Sequence, residues 1–311
     1  MRKKYAVGVD VGGSHISSVL VDLSTGALLK ESLSEQKVDN KASAEEILAG
    51  WSTAIGKTLD HSDRRDLEGI GFAMPGPFDY KEGIALMRHV DKYEALYGIN
   101  VGVELRKLLD LPATMPFRYL NDAISFAVGE CWLGKASAFK NVVAVTLGTG
   151  FGSAFLTDGI PVIEGPRVPE MGYVYHIPYE DGIADDYFST RWFIKEYAAR
   201  TGTLVNGVKA IADQALYEEH AKRLFEDFGI RIGDFLSPLL RQFDAGCLVI
   251  GGNIAAAFPL FGPAMERTLK THQIHVEIVI SDMMALAAMA GSARLLDETF
   301  WKETQALISK I

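Results

Sequence analysis

Hydrophobic residues along this chain fall into short runs, each closed by glycine, proline or a turn-forming polar residue, and the runs change period in a regular order. Tyr5-Ala6-Val7-Gly8-Val9-Asp10 is a Val-rich run that reads as a buried strand. It ends in Gly12-Gly13-Ser14, after which Ile16 to Asp22 and Ala27 to Ser32 predict two further strands around Ser24-Thr25-Gly26. From Ala44 to Leu59 the period becomes helical, with Ile47, Leu48, Trp51, Ile55 and Leu59 on one face. Ser43-Ala44-Glu45-Glu46 supplies a capping box at its start. Gly69 to Met74 is a buried strand stopped by Pro75-Gly76-Pro77, residues 101–109 a short helix, and Phe117 to Leu120 another strand. Asn121-Asp122 then opens an apolar helix from Ala123 to Leu133.

The same order begins again at Asn141. Asn141 to Leu147 is a Val-rich strand, Gly148-Thr149-Gly150-Phe151-Gly152-Ser153 a Gly-rich turn, and Ala154-Phe155-Leu156 its hairpin partner, turning at Asp158-Gly159. Helices are expected over about 184–200, 206–216 and 218–242. Cys247 to Ile250 is a strand entering Gly251-Gly252-Asn253, a helix follows to about Lys270, then a strand at 278–280 and a helix at 285–296. An internal repeat of this kind, too long for a solenoid, predicts an α/β protein of two lobes with one Gly-rich turn each. The expected division is 1–120 and 121–296, with a C-terminal helix over 297–311 returning to the first lobe.

Composition narrows the partners. The 311 residues suffice for two domains, and 31 Lys and Arg against 40 Asp and Glu leave a net charge of −9. With no cationic run, nucleic acid and anionic membrane are not the expected partners. Any anionic ligand must then be held by backbone amides, helix ends and metal. No stretch approaches a membrane span, Met-Arg-Lys-Lys leads straight into a strand with no room for a leader's apolar core, and Cys131 and Cys247 lie in apolar surroundings. A reducing, cytoplasmic location is expected.

Candidate chemistry sits at the ends of the strands. Glycines after Asp10 can take φ > 0 and leave no Cβ between backbone N–H groups and a phosphate. Asp10 adds a carboxylate where hydrated Mg²⁺ could bridge to that phosphate. Taken alone, Asp-Val-Gly-Gly-Ser fits a plain hairpin turn equally well, and Asp122 fits an ordinary first-turn acid.

The ordered set of motifs decides between these. Asp10-Val11-Gly12-Gly13-Ser14, Leu147-Gly148-Thr149-Gly150-Phe151-Gly152 and Val249-Ile250-Gly251-Gly252-Asn253 resemble the two phosphate motifs and the adenosine motif of the superfamily of actin, sugar kinases and heat-shock ATPases. Pro75-Gly76-Pro77-Phe78-Asp79 and Leu120-Asn121-Asp122-Ala123 narrow the resemblance to the ROK family of bacterial sugar kinases and related repressors. It spans Tyr5 to about Ala293 and implies a two-lobed actin-like ATPase (ribonuclease H-like) fold with a βββαβα-type core in each lobe.

The resemblance also implies roles. Asp122 matches the general base, taking the proton of a sugar hydroxyl that attacks ATP, and helix N-terminal amides are expected to hold it ionised. Asn121, Gly76, Asp79 and Glu170 match sugar contacts. Asp10, Gly12, Gly13 and Ser14 match the first phosphate turn, Gly148, Thr149, Gly150 and Gly152 the second, and Gly251, Gly252 and Asn253 the adenosine motif. ATP and Mg²⁺ are the implied donor and cofactor, and a homodimer or homotetramer the implied assembly.

The chain departs from the family in one region. Family kinases carry Glu-x-Gly-His, a cysteine-rich zinc loop and a further sugar-binding Glu. Here Glu170-Met171-Gly172-Tyr173 has Tyr173 in the His position, and His176 lies three residues away. The cysteines are missing, and Asp185 stands in the Glu position within Asp185-Asp186-Tyr187-Phe188-Ser189. No structural zinc is expected. The resulting expectation is a kinase acting on the 6-hydroxyl of a hexose or N-acetylhexosamine, with Tyr173 and Asp185 bearing on the choice of sugar. The alternative is a catalytically silent sugar-binding or regulatory protein of the same family. A DNA-binding repressor would need a helix-turn-helix ahead of a first strand that begins by about Lys4.

Overall fold

The computed structural model describes residues 4–90 and 92–311. They form two compact units, one of residues 1–137 with 285–311 and the other of 138–284.

The first unit begins with β1 (Tyr5–Val11), β2 (His15–Asp22) and β3 (Leu28–Lys37), followed by α1 (Ala44–Leu59) and β4 (Leu67–Met74). A small hairpin, β5 (Phe78–Asp79) and β6 (Ile84–Ala85), leads to α2 (Val101–Leu108), β7 (Phe117–Asn121) and α3 (Asp122–Leu133). The sheet order is β3-β2-β1-β4-β7, antiparallel on the β3 side of β1 and parallel on the other. The predicted capping box is present, since Ser43 accepts from Glu46 N–H and the Glu46 carboxylate accepts from Ser43 N–H. The face of α1 that packs down carries Ile47, Leu48, Trp51, Ile55 and Leu59.

The second unit repeats this plan. It holds β8 (Asn141–Leu147), β9 (Phe151–Thr157) and β10 (Ile160–Pro161), then a minor hairpin of β11 (Pro178–Tyr179) and β12 (Gly182–Ile183). Next come α4 (Ala184–Tyr187), α5 (Thr190–Thr201), α6 (Val208–Gln214), α7 (Glu219–Phe243), β13 (Cys247–Gly251), α8 (Phe258–Thr271) and β14 (Glu277–Ile280). Its sheet order, β10-β9-β8-β13-β14, is that of the first sheet position for position. The repeat read in the sequence is therefore a repeat of topology. Its core is strongly aromatic, with Phe188, Phe193, Phe225, Phe228 and Phe261 fully buried. The single helix expected over 184–200 is broken at Ser189, whose extended backbone (φ −129°, ψ 169°) separates α4 from α5.

The chain then returns to the first unit as α9 (Ala285–Arg294) and α10 (Glu298–Ile308). This division differs from the boundary expected at Asn121, because α3 stays with the first unit. It does so by packing on α9 at two glycines. A Cβ on Gly129 would overlap the carbonyl oxygen of Ala287, and one on Gly291 that of Ser125. The helices touch backbone to backbone, an approach open only where a side chain is missing.

Candidate active site

In the first unit, parallel β1, β4 and β7 end on the same side of their sheet, where ligands of open α/β sheets commonly bind. The register sets Asp10 beside Ala73, Ala73 beside Leu120, and Met74 beside Asn121. Asp122 follows at once as the first residue of α3. Two carboxyl groups are thus delivered to the same side of the sheet, at the ends of β1 and β7 with β4 between them. Burial, and second the charge of Asp122, push the Asp10 carboxyl up to about 7.

Asp122 is also pushed upward, and burial is the cause. Lys92, the N–H of Ala123 and the Asn121 side chain pull it back without overcoming burial. Burial thus works against the helix N-terminal amides that the sequence reading expects to hold Asp122 ionised. Asn121 is the N-cap of α3, its Oδ1 accepting from Ala123 N at 3.0 Å and Ile124 N at 3.2 Å. Its Nδ2 donates to the Tyr80 hydroxyl at 3.4 Å, and that hydroxyl donates to the Met74 carbonyl at 3.1 Å. Tyr80, which the sequence did not flag, links the end of β4 to Asn121.

Gly12-Gly13-Ser14 joins β1 to β2 as a tight hairpin, with Gly12 N–H donating to the His15 carbonyl at 3.0 Å. Neither glycine uses the left-handed region open to it. What Gly12 contributes is space, since a Cβ on it would sit 2.7 Å from Cε1 of His15, and Gly13 faces open space. Two carbonyls of the turn are held from outside it. Tyr93 Oη donates to Gly12 O at 2.6 Å, and the Asn40 amide donates to Gly13 O. Tyr93 packs edge-on against Trp51 at 5.3 Å, and burial raises its hydroxyl to about 12, so it remains a donor.

Near β5, Gly76 has room on its Cβ side, the nearest atom being Tyr80 Oη at 3.5 Å. Asp79 folds its carboxylate onto its own turn, with Oδ1 accepting from Lys81 N at 3.1 Å and Glu82 N at 2.9 Å.

In the second unit the Gly148–Phe151 turn is closed by Gly148 N–H donating to Gly150 O at 3.1 Å. Thr190 donates to Gly148 O through both N (2.8 Å) and Oγ1 (2.9 Å), and Arg191 Nη1 donates to Thr149 O at 3.0 Å. Asp185 accepts from Phe151 N at 2.6 Å on Oδ1 and pairs with Arg191 on Oδ2. Asp185 therefore reaches this turn. Gly152 lies on β9 opposite Thr146. On the other side of β8, Gly251 is also opposite Thr146, and Gly252 (φ +83°) lies so close to Leu147 that a Cβ would overlap its carbonyl oxygen. Glycine is required there on both counts. Exposed Asn253 opens the 3₁₀ turn that follows.

Glu170 is exposed, at the start of a short 3₁₀ turn that passes through left-handed Met171 (φ 55°) and Gly172 (φ 69°). Buried Ser153 holds that turn, donating to Gly172 O at 2.7 Å and accepting from Val174 N at 3.0 Å. Tyr173 is half-buried and its ring lies 6.0 Å from that of Tyr175, which meets His176 at 5.1 Å. Among the described residues, no three His, Cys, Asp or Glu side chains gather as a metal-ligand set, and no helix is long and apolar enough to cross a membrane.

The family model that matches this chain is that of the ROK family, over residues 6–298. The chain belongs to the ROK family. Among its relatives, a glucokinase of Thermotoga maritima is 26% identical over 96% of this chain and 99% of its own length. An N-acetyl-D-glucosamine kinase of Photobacterium profundum is 25% identical, over 72% of this chain and 78% of its own. A solved ROK glucokinase of Streptomyces griseus, in complex with glucose and AMPPNP, aligns with a TM-score of 0.74 at 22% identity, covering 94% of this chain and 98% of that one. The fold of this ROK member is the actin-like ATPase fold.

Proposed function

We propose that this chain is a carbohydrate kinase transferring the γ-phosphoryl group of ATP to the 6-hydroxyl of a hexose or N-acetylhexosamine, with Asp122 as general base. The observation that carries the reading is Asp122 itself. It is a carboxyl group fixed at the first turn of α3, close enough to Asp10 for the two charges to repel, and raised by burial. A carboxylate of raised pKa is a stronger base than one in water, and catalysis by proton transfer favours a pKa near the operating pH. The sugar kinases among the relatives support the substrate class.

In the proposed step Asp122 accepts the proton of the attacking hydroxyl as its oxygen bonds to the γ-phosphorus. The bond from that phosphorus to the β,γ-bridging oxygen breaks, and ADP leaves with the electron pair. Amide N–H groups of the turns at Gly12–Ser14 and Gly148–Gly152 would bind the phosphates, and Gly251, Gly252 and Asn253 would let the nucleoside lie against backbone. Asn121, Glu170, Tyr173, Gly76 and Asp79 would orient the sugar. The donor set fits Mg²⁺ at Asp10 through water, because two mutually repelling carboxyl groups would be relieved by a divalent cation. When bound, Mg²⁺ would neutralise phosphate charge.

The test is ADP release from ATP and Mg²⁺ over a panel of aldoses, ketoses and N-acetylhexosamines, with Asp122→Asn as control. Sugar-dependent turnover that drops by roughly 10²-fold or more in the variant is expected, the range that general-base catalysis contributes. Wild-type turnover in a folded Asp122→Asn variant would remove Asp122 from the role.

A further inference from the structure

The two Gly-rich turns share an arrangement that their sequences do not. In each, two successive carbonyls are held by side chains from elsewhere in the same unit. In the first, Gly12 O is held by Tyr93 and Gly13 O by Asn40. In the second, Gly148 O is held by Thr190 and Thr149 O by Arg191. In a planar trans peptide the C=O of one residue and the N–H of the next point in opposite directions. Holding those carbonyls turns the N–H groups of Gly13 and Ser14, and of Thr149 and Gly150, to the opposite side of their turns. Successive N–H groups aimed one way form an anion-binding concavity.

We infer that Tyr93, Asn40, Thr190 and the Arg191–Asp185 pair are positioning residues, aiming the turn amides at the nucleotide's phosphates. The inference rests on the proposed kinase reading and moves Asp185 away from the sugar. The Asp185 carboxylate is divided between Phe151 N–H and Arg191, and Gly150 makes that approach possible, since a Cβ there would stand 3.2 Å from Asp185 Oδ1. An ion pair whose arginine side chain is 56% exposed contributes little to stability, so its loss should leave the fold intact.

The experiment is calorimetric titration of the full chain with AMPPNP and Mg²⁺, without sugar, for wild type, Tyr93→Phe, Arg191→Ala, Asp185→Asn and the Asp185→Asn/Arg191→Ala double variant. Tyr93→Phe keeps the ring against Trp51 and removes only the hydroxyl. Each single variant should bind about tenfold more weakly, the size expected for a lost hydrogen bond to or from a charged or well-aimed group, with thermal unfolding unchanged for Arg191→Ala and a loss of affinity in Tyr93→Phe that exceeds any loss of stability. The double variant should be no weaker than the worse single, because the pair acts as a unit. Arg191→Lys, which keeps charge but loses the fork, should recover only part of the affinity. Variants that bind as wild type does, or that lose affinity only in proportion to lost stability, would overturn the inference and leave the kinase reading standing. A wild type that binds no AMPPNP would overturn both.

Discussion

Gly8 and Gly71 face each other across the β1–β4 ladder, and both lie beneath the backbone of α9. A Cβ on Gly8 would overlap the carbonyl oxygen of Met289, and one on Gly71 that of Ser292. Ser292 Oγ in turn accepts from Val9 N at 3.2 Å. One added methyl at Gly71 therefore has to lift a helix rather than shift a side chain. Gly71→Ala should destabilise the first unit by about 1–3 kcal/mol, as overpacking does. Chemical denaturation followed by the fluorescence of Trp51 and Trp132 in that unit measures it, and an unchanged midpoint would contradict the close approach.

The raised Asp10 carboxyl gives a signed pH dependence. The folded chain keeps that proton up to about 7, whereas the unfolded chain releases it near 3.8. Between those values the folded state binds more protons, so this group's contribution to stability falls as pH rises. Without Mg²⁺, Asp10→Asn should melt higher than wild type at pH 8, by on the order of several degrees, and the two should converge near pH 4. Parallel melting curves across that window would refute the assignment.

Burial moves the Asp122 carboxyl upward. The proposed base must be ionised to act, so kcat/KM should fall on the acid side with a midpoint above the ordinary range of an aspartate, about 3.9 in a model peptide. A rate profile flat down to pH 4 would rule out Asp122 as the titrating base.

Ser153 holds the backbone on either side of Tyr173, through the carbonyl of Gly172 and the N–H of Val174. Ser153→Ala leaves both groups without that partner in a buried place, at a cost of about 1–3 kcal/mol. If Glu170 reads the sugar, KM for sugar should rise severalfold while nucleotide affinity holds. A change confined to nucleotide affinity would separate this turn from sugar recognition.

Much of this was legible because strands, Gly-rich turns and the Ser43 capping box are local in sequence. Asp10, the turns and Asp122 stood out through the order of the motifs and their resemblance to the ROK family, since residue type alone left a plain hairpin turn and an ordinary first-turn acid equally open. The elements that hold the turns were not. Tyr93 and Asn40 lie far along the chain from Gly12, and Arg191 follows Thr149 by more than a whole hairpin, so no spacing rule joins them. The division between units also escaped, because the glycines that bind α3 to α9 read locally as weak helix formers. Their meaning lies in a partner backbone encoded at the other end of the chain. Asp185 was singled out by its position in the motif, and its bonds to Phe151 N and to Arg191 could not be read from that position.

The return of the chain to its first unit has a consequence for synthesis. Residues 138–284 are contiguous, whereas the first unit needs residues 285–311 to be complete. Until α9 is made, the glycine floor of β1 and β4 stays uncovered, together with the face of α3 that α9 covers. The strands of the first unit are made before residues 138–284 and completed after them, so loss of residues 285–311 should expose that sheet to chaperones and proteases.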